Sequence, residues 1–269
     1  MRSGDAARSY LELLRNEGLT VRPALWRWEL NAAYALVYRT YHWRGYVGDD
    51  PSGLYVTLFN MLPDTVTFVG IIHNRVVAAL TLLHDGPLGL PMDELFREEL
   101  AQLRTKGHKL AEVAMFGDRR VRSYRRTLPM LTLLLKRAFD YCEQVSGVQY
   151  LCTVTDPVRT TFYRERLMFE PLGDIKAYQQ APEIRLAAGY IAVNDIAARC
   201  REKPDMRRLF LENRTPLPVL KRRYTLGCRD LRYFLIEMTS LLEHSSPKER
   251  GVMREAYPEC PWDDWTSCT

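Results

Sequence analysis

The stretch TVTFVGIIHNRVVAALTLLHDGPLGLPMDELF, residues Thr65–Phe96, decides how the rest of the chain is read. Two runs rich in β-branched and aromatic residues, Thr65–Ile72 and Val76–Leu83, flank the short polar turn HNR, which is the pattern of a β-hairpin. The segment that follows, HDGPLGLP, carries two prolines and two glycines around exposed-looking leucines. It is stiffer and more apolar than a simple connection needs to be. MDELFREELAQLRTKG (Met92–Gly107) then reads as a helix that ends at glycine.

Downstream, KLAEVAMF (Lys109–Phe116) is a strand, followed by an arginine-rich turn and a largely apolar helix over Leu128–Gly147. VQYLCTVT (Val148–Thr155) is another strand, and DPVRTTFYRERLMFEPLG (Asp156–Gly173) opens as a capped helix and turns at Pro171–Gly173. Residues 183–193 fit a last strand. Upstream, residues 5–17 suit a short amphipathic helix. Pro23 suits the first turn of a second helix whose core face is Leu25, Trp28, Ala32 and Leu36. An antiparallel pair followed by βαβ-like units predicts an α+β (mixed α/β) fold with a central mixed sheet flanked by helices. We expect a core over residues 1–193 and a helical C-terminal extension over 194–269. In that extension DLRYFLIEMTSLLEH (Asp230–His244) has an amphipathic face that suits core packing, a dimer contact or a membrane.

The chain has 269 residues and a net charge of +5, with hydrophobic residues at 46% and charged residues at 26%. That balance fits a globular protein and excludes a mainly disordered one. The mild positive charge suits an acidic protein or an acidic small substrate as well as nucleic acid. The six cysteines form no CxxC pair, so the expectation is reduced thiols in a cytoplasmic protein. Charges run through the N-terminal residues, leaving no signal-peptide core, and no run of about 18 apolar residues occurs. Peripheral membrane contact stays compatible with this composition, and the oligomeric state is not encoded in it.

Glu112 is the one charged residue inside an apolar strand. It either points to solvent, as alternate strand residues do, or sits in a cleft where desolvation raises its pKa into the range of a general base. The turn after that strand, GDRRVRSYRRT, holds Arg119, Arg120, Arg122, Arg125 and Arg126 between a strand end and a helix start. Free backbone N–H groups there favour anions, so a phosphate or an acidic protein surface fits. Tyr124 alone interleaves the arginines and no nucleic-acid motif accompanies them, which argues against nucleic acid. Tyr163 follows the next strand and is a candidate acid, or else a core residue. The histidines show no metal-ligand spacing, and HExxH, GxSxG, Walker and GxGxxG motifs are absent. No metal is expected.

The order of hairpin, Glu112 strand, basic turn, strand and FYRERLMF resembles the GNAT-type acyltransferase fold. More specifically, VYRTYHWRGYVGDDPSGL, VVAALTLLHDGPLGLPMDELF and KLAEVAMF resemble the N-acyl amino acid synthases, over about Ala24–Gly173. The acyl-homoserine-lactone (autoinducer) synthases are related. This resemblance implies transfer of a long acyl chain from acyl carrier protein to the α-amine of an amino acid. It also implies no permanently bound cofactor, the donor being an acyl-phosphopantetheine with acyl-CoA as second choice. The absence of a glycine-bearing CoA loop in DRRVRSYRRTL and the surplus of arginines agree with a carrier protein. By the same resemblance Glu112 is the base, Tyr163 the acid for the leaving thiolate, and the backbone at Ala114, Met115 and Phe116 the oxyanion site. The five arginines hold the donor or its carrier. Arg39, Trp43, Asp85, Leu88, Leu90 and Met92 line the acyl or acceptor pocket, with Arg39 or Arg44 meeting the acceptor carboxylate. Two departures stand out: Ala114 replaces the family's serine, and Met168 precedes Phe169 where the fold often has glycine. An autoinducer synthase or a non-catalytic acyl-binding protein are the alternatives.

Overall fold

A computed structural model describes residues 18–119, 124–178, 181–201 and 203–266, with residues 124–126, 181, 182, 205 and 266 described in backbone alone. The expected helix over residues 5–17 lies outside them. Eight strands form one mixed sheet: β1 (Thr20–Pro23), β2 (Val66–Ile72), β3 (Arg75–His84), β4 (Leu110–Asp118), β5 (Tyr150–Thr155), β6 (Glu170–Pro171), β7 (Lys176–Tyr178) and β8 (Ala181–Ala192). The order is β1-β2-β3-β4-β5-β8-β6, with β7 pairing β8. Only β4 and β5 run parallel. The sheet and its flanking helices give the α+β architecture the sequence predicts.

The hairpin turn is tighter than HNR suggests. Arg75 already belongs to β3, and His73 and Asn74 both take positive φ, 47° and 57°. That is the two-residue turn whose twist matches antiparallel strands. Helices α1 (Arg27–Trp43) and α2 (Asp93–Arg104) cover one face of the sheet. Helices α3 (Tyr124–Tyr141) and α4 (Thr160–Leu167) pack against the other. A Cβ on Gly117 would lie 2.9 Å from the Val37 backbone nitrogen, so a glycine lets α1 seat directly on β4.

Two expectations near the start are corrected. Pro23 does not open a helix; it ends β1, paired opposite Phe68, and α1 begins at Arg27. β1 is an edge strand, where a residue without an N–H is tolerated. The buried face of α1 is Leu30, Ala33, Tyr34, Leu36, Val37 and Thr40, while Trp28 is half exposed. Glu29 is buried among them because Arg22 binds its carboxylate through two hydrogen bonds of 2.9 and 2.7 Å.

Past β8 the described chain is a series of short helices. Leu231, Phe234, Leu235 and Leu242 of the Asp230–His244 stretch are buried with α1 and β2, so its apolar face is core. Thr215 is fixed to Asp140 of α3 by its N–H at 3.0 Å, and the Tyr257 hydroxyl donates to the Met61 carbonyl at 2.8 Å. The expectation of six reduced cysteines is also corrected. Cys228 and Cys260 form a disulfide, whereas Cys142, Cys152 and Cys200 are free and buried. Cys268 lies outside the described residues. No helix among the described residues is long and apolar enough to cross a membrane.

Candidate active site

The parallel ladder between β4 and β5 is short. It pairs Leu110 with Tyr150, Ala111 with Leu151 and Glu112 with Cys152, and then stops while both strands run on. Glu112 therefore sits at the last paired position, where the sheet parts. One step further, β4 carries a bulge: β3 advances from Ala79 to Thr81 while its partners move from Gly117 to Ala114. Met115, inside that extra stretch, has φ of 55°, a strained value for a side chain that is not glycine. Bulges free backbone groups from the ladder. Here the Met115 amide is engaged with the phenol of Tyr41.

Glu112 does not point to solvent. It is 4% exposed, and Ala111 and Val113 on either side face the α3 layer, leaving Glu112 on the side of α1 and α2. Burial pushes its carboxyl up to about 8. The Met92 N–H, which donates to Oε2 at 2.9 Å, pulls the other way, and the charge of Asp93 adds a smaller upward push. A carboxyl with a pKa near neutrality exchanges protons readily at physiological pH.

The segment after β3 is what brings Met92 there. Its two ends are drawn together by one guanidinium. Arg104 of α2 donates to Asp85 from Nε at 2.7 Å and from Nη2 at 2.8 Å, and to Asp93 from Nη1 and Nη2 at 2.6 Å each. Burial alone would raise Asp93, but Arg104, with the Leu90 N–H and Arg97, offsets it and holds the carboxyl below its usual range. Asp93 Oδ2 also accepts the Leu90 N–H at 2.7 Å. Gly89, at φ 72°, is required between them, since a Cβ would lie 2.6 Å from Asp93 Oδ2. The prolines thus stiffen a loop already closed by charge.

The remaining expected residues divide clearly. Leu90 and Met92 are buried in the cluster of Val37, Leu83, Phe96 and Met115 that surrounds the Glu112 side of β4, while Leu88 is partly buried in the neighbouring cluster. Ala114 and Phe116 flank Met115 in the bulge. Asp85 is occupied by Arg104. Arg39 and Trp43 lie on the exposed side of α1, away from Tyr41. Arg44, partly buried, is one turn past Tyr41. Tyr163 is 9% exposed and packs edge-on to Phe169 in the cluster that contains Ala111 and Val113, on the far face of β4 from Glu112. Arg119 is exposed just past β4. Arg120 and Arg122 lie outside the described residues, and Arg125 and Arg126 stand in the first turn of α3.

Sequence reasoning missed Tyr41 and Tyr55. Their rings are 4.9 Å apart by centroid, and Tyr46 lies 5.7 Å from Tyr41. Burial raises the pKa of both Tyr41 and Tyr55, and the Glu112 charge adds to each. Tyr55 also senses Glu94, whose Oε2 accepts the Tyr178 hydroxyl at 2.8 Å. Tyr55 thus senses both the buried carboxylate and solvent-exposed Glu94. The one available signal was the tyrosine density of residues 38–55, which periodicity assigns to helix packing.

A family model described as N-acyl amino acid synthase FeeM matches residues 32–187, more than half of the chain. Among solved structures, FeeM, an N-acyl amino acid synthase from uncultured soil microbes, is 26% identical, with a TM-score of 0.56 over 72% of this chain and 96% of that one. BjaI, a CoA-dependent acyl-homoserine lactone synthase, is 13% identical, with a TM-score of 0.53 over 79% of this chain and 97% of that one, a likeness of fold. No curated protein matches the chain.

Proposed function

The chain belongs to the N-acyl amino acid synthase family and is an acyltransferase of GNAT-type fold; from that premise we propose that it moves a long-chain fatty acyl group from an acyl carrier protein thioester to the α-amine of an amino acid. The observation that carries the reading is Glu112, a buried carboxyl with a pKa near 8 at the point where β4 and β5 part.

In the proposed reaction ionised Glu112 takes a proton from the acceptor ammonium. The neutral amine attacks the thioester carbonyl carbon, and the oxyanion that develops is met by the backbone of the Ala114–Phe116 bulge, the Met115 N–H turning to it from the Tyr41 phenol. The carbon–nitrogen bond forms as the carbon–sulfur bond breaks. The nitrogen sheds its second proton and the departing thiolate takes one up. Glu112 returns its proton to solvent past Tyr55 and Glu94. No covalent enzyme intermediate is needed, because the thioester is already activated. Five arginines and no glycine over Asp118–Thr127 favour a carrier protein over CoA as donor.

The test is incubation of the purified chain with acyl carrier protein loaded with fatty acyl groups of several lengths and a panel of amino acids, read by mass spectrometry. The expected product is an N-acyl amino acid with release of carrier thiol. Transfer from acyl-CoA alone would overturn the donor assignment. A lactone formed from S-adenosylmethionine, or no transfer to any amine, would overturn the reaction.

A further inference from the structure

Residues 215–224 run beside the edge strand β1. Arg137 ties the start of this run to β1, donating from Nε to the Val21 carbonyl at 2.9 Å and from Nη1 to Thr215 Oγ1 at 2.5 Å. The Tyr224 N–H closes the other end on the Ala24 carbonyl at 2.7 Å. Between them the short helix Leu217–Lys221 turns Leu220 into the core and leaves Leu217 and Val219 37% and 38% exposed. Trp26 and Trp28, just past Ala24, are 56% and 49% exposed. Of the seven large apolar side chains exposed among the described residues, Leu217 and Val219 lie on this run, and Trp26 and Trp28 stand three and five residues past the end of β1.

Lys221 and Arg222 are exposed on the same run and make no ion pair among the described residues. Among the acids near this run, Glu29 is buried against Arg22, Asp230 is held by Tyr224, Gly227 and Arg27, and Glu143 is paired with Arg214; exposed Asp64 lies between the Pro63 and Thr65 carbonyls that Arg223 binds, and Lys221 and Arg222 stand beyond these pairs. The edge is therefore apolar and positively charged at once.

We propose that this edge seats the protein on an anionic lipid surface. Indole rings settle at headgroup depth, short aliphatic side chains enter the acyl boundary, and Lys and Arg meet lipid phosphates. A protein partner is a poorer fit, since interface cores are depleted in lysine. The inference rests on this surface alone and stands whether or not the acyl-transfer reading holds.

The test uses the full chain without substrate, co-sedimented with phosphatidylglycerol–phosphatidylcholine vesicles and with phosphatidylcholine vesicles. Each cation near an anionic surface contributes about fivefold to binding. K221E/R222E should therefore weaken binding to anionic vesicles by about 25-fold or more, and added salt should weaken the wild type. W26S/W28S should also lose binding, together with the blue shift of tryptophan emission. Thermal melts identify a variant that has not folded, in which case the other decides. The proposal is overturned if the wild type does not bind, binds both vesicles equally, or binds as well with either folded variant. It is overturned too if the wild type is a dimer that W26S/W28S dissociates, which would make the edge a self-interface.

Discussion

The backbone N–H of Met92 donates to Glu112 Oε2 across 2.9 Å, so the loop after β3 holds the carboxylate buried in the middle of β4. That contact joins positions twenty residues apart and gives the stiffness of the loop a purpose. Arg104 fixes the two ends of the loop, Asp85 and Asp93, and the loop fixes the orientation of the carboxyl. A base aimed by a backbone amide is oriented before substrate arrives, which lowers the cost of reaching the reacting geometry.

Replacing Glu112 with Gln should lower acyl-transfer turnover by about 10²–10⁴-fold, the usual contribution of a positioned general base, while leaving the fold intact. In the wild type the rate should rise with pH through about 8 as Glu112 ionises. That limb should vanish in E112Q, leaving only the ionisation of the acceptor amine. Steady-state rates over a pH series check both, and an unchanged profile in E112Q would remove Glu112 from the chemistry.

The same carboxyl makes a stability prediction of opposite character. Its pKa is raised in the folded chain, so its contribution to stability is full below the unfolded value near 4.5 and is lost as pH rises through about 8. The ionised form is disfavoured in the core by roughly 3–5 kcal/mol. E112Q keeps an acceptor for the Met92 N–H and carries no charge, so its melting temperature should gain on the wild type as pH rises from 5 to 9. A constant difference across that range would mean that Glu112 is not buried ionisable carboxyl.

Arg104→Ala would leave Asp85 and Asp93 facing each other without their shared cation. The pair is partly buried, so the loss should be about 2–4 kcal/mol. Asp93, held low by Arg104, would lose the stability it contributes above its unfolded pKa, a contribution that in the wild type disappears only as pH falls through the folded value. Because the loop that carries Met92 is freed, KM should rise as well. A melt and a substrate titration check the two effects. A lower melting temperature with unchanged KM would make the clamp purely structural.

The hairpin, the Glu112 strand and the order of elements were legible because alternation and turn chemistry are local signals. β1 was not, because it is four residues long and its proline sits on an edge, where the rule against proline in strands has no force. The bulge falls on the Ala114–Phe116 backbone that the resemblance named, but its partner Tyr41 was hidden. Nothing local distinguishes that ring from the others on α1 until the sheet parts beneath it. Trp28 was misplaced because helical spacing names a face without saying which side the core takes. The cysteines were misread because Cys228 and Cys260 are 32 residues apart and spacing does not encode pairing.

That disulfide supplies the last prediction. It joins the start of the helix at Cys228 to the segment after Tyr257, and the cluster it closes includes Trp262, whose indole donates to the Tyr257 carbonyl at 2.8 Å. In the chain-entropy account a loop of this length stabilises by about 3–4 kcal/mol, so reductant or C228S/C260S should lower the melting temperature on the order of 10 °C. Thiol titration of the denatured chain should find two more thiols after reduction than before. Tyr257 reaches the Met61 carbonyl, next to Asn60, whose amide donates to Met115 Sδ at 3.0 Å in the bulge. These contacts persist in the folded reduced chain. Turnover well below the melting temperature should therefore be unchanged, and a fall in turnover without unfolding would show that the disulfide also sets the bulge.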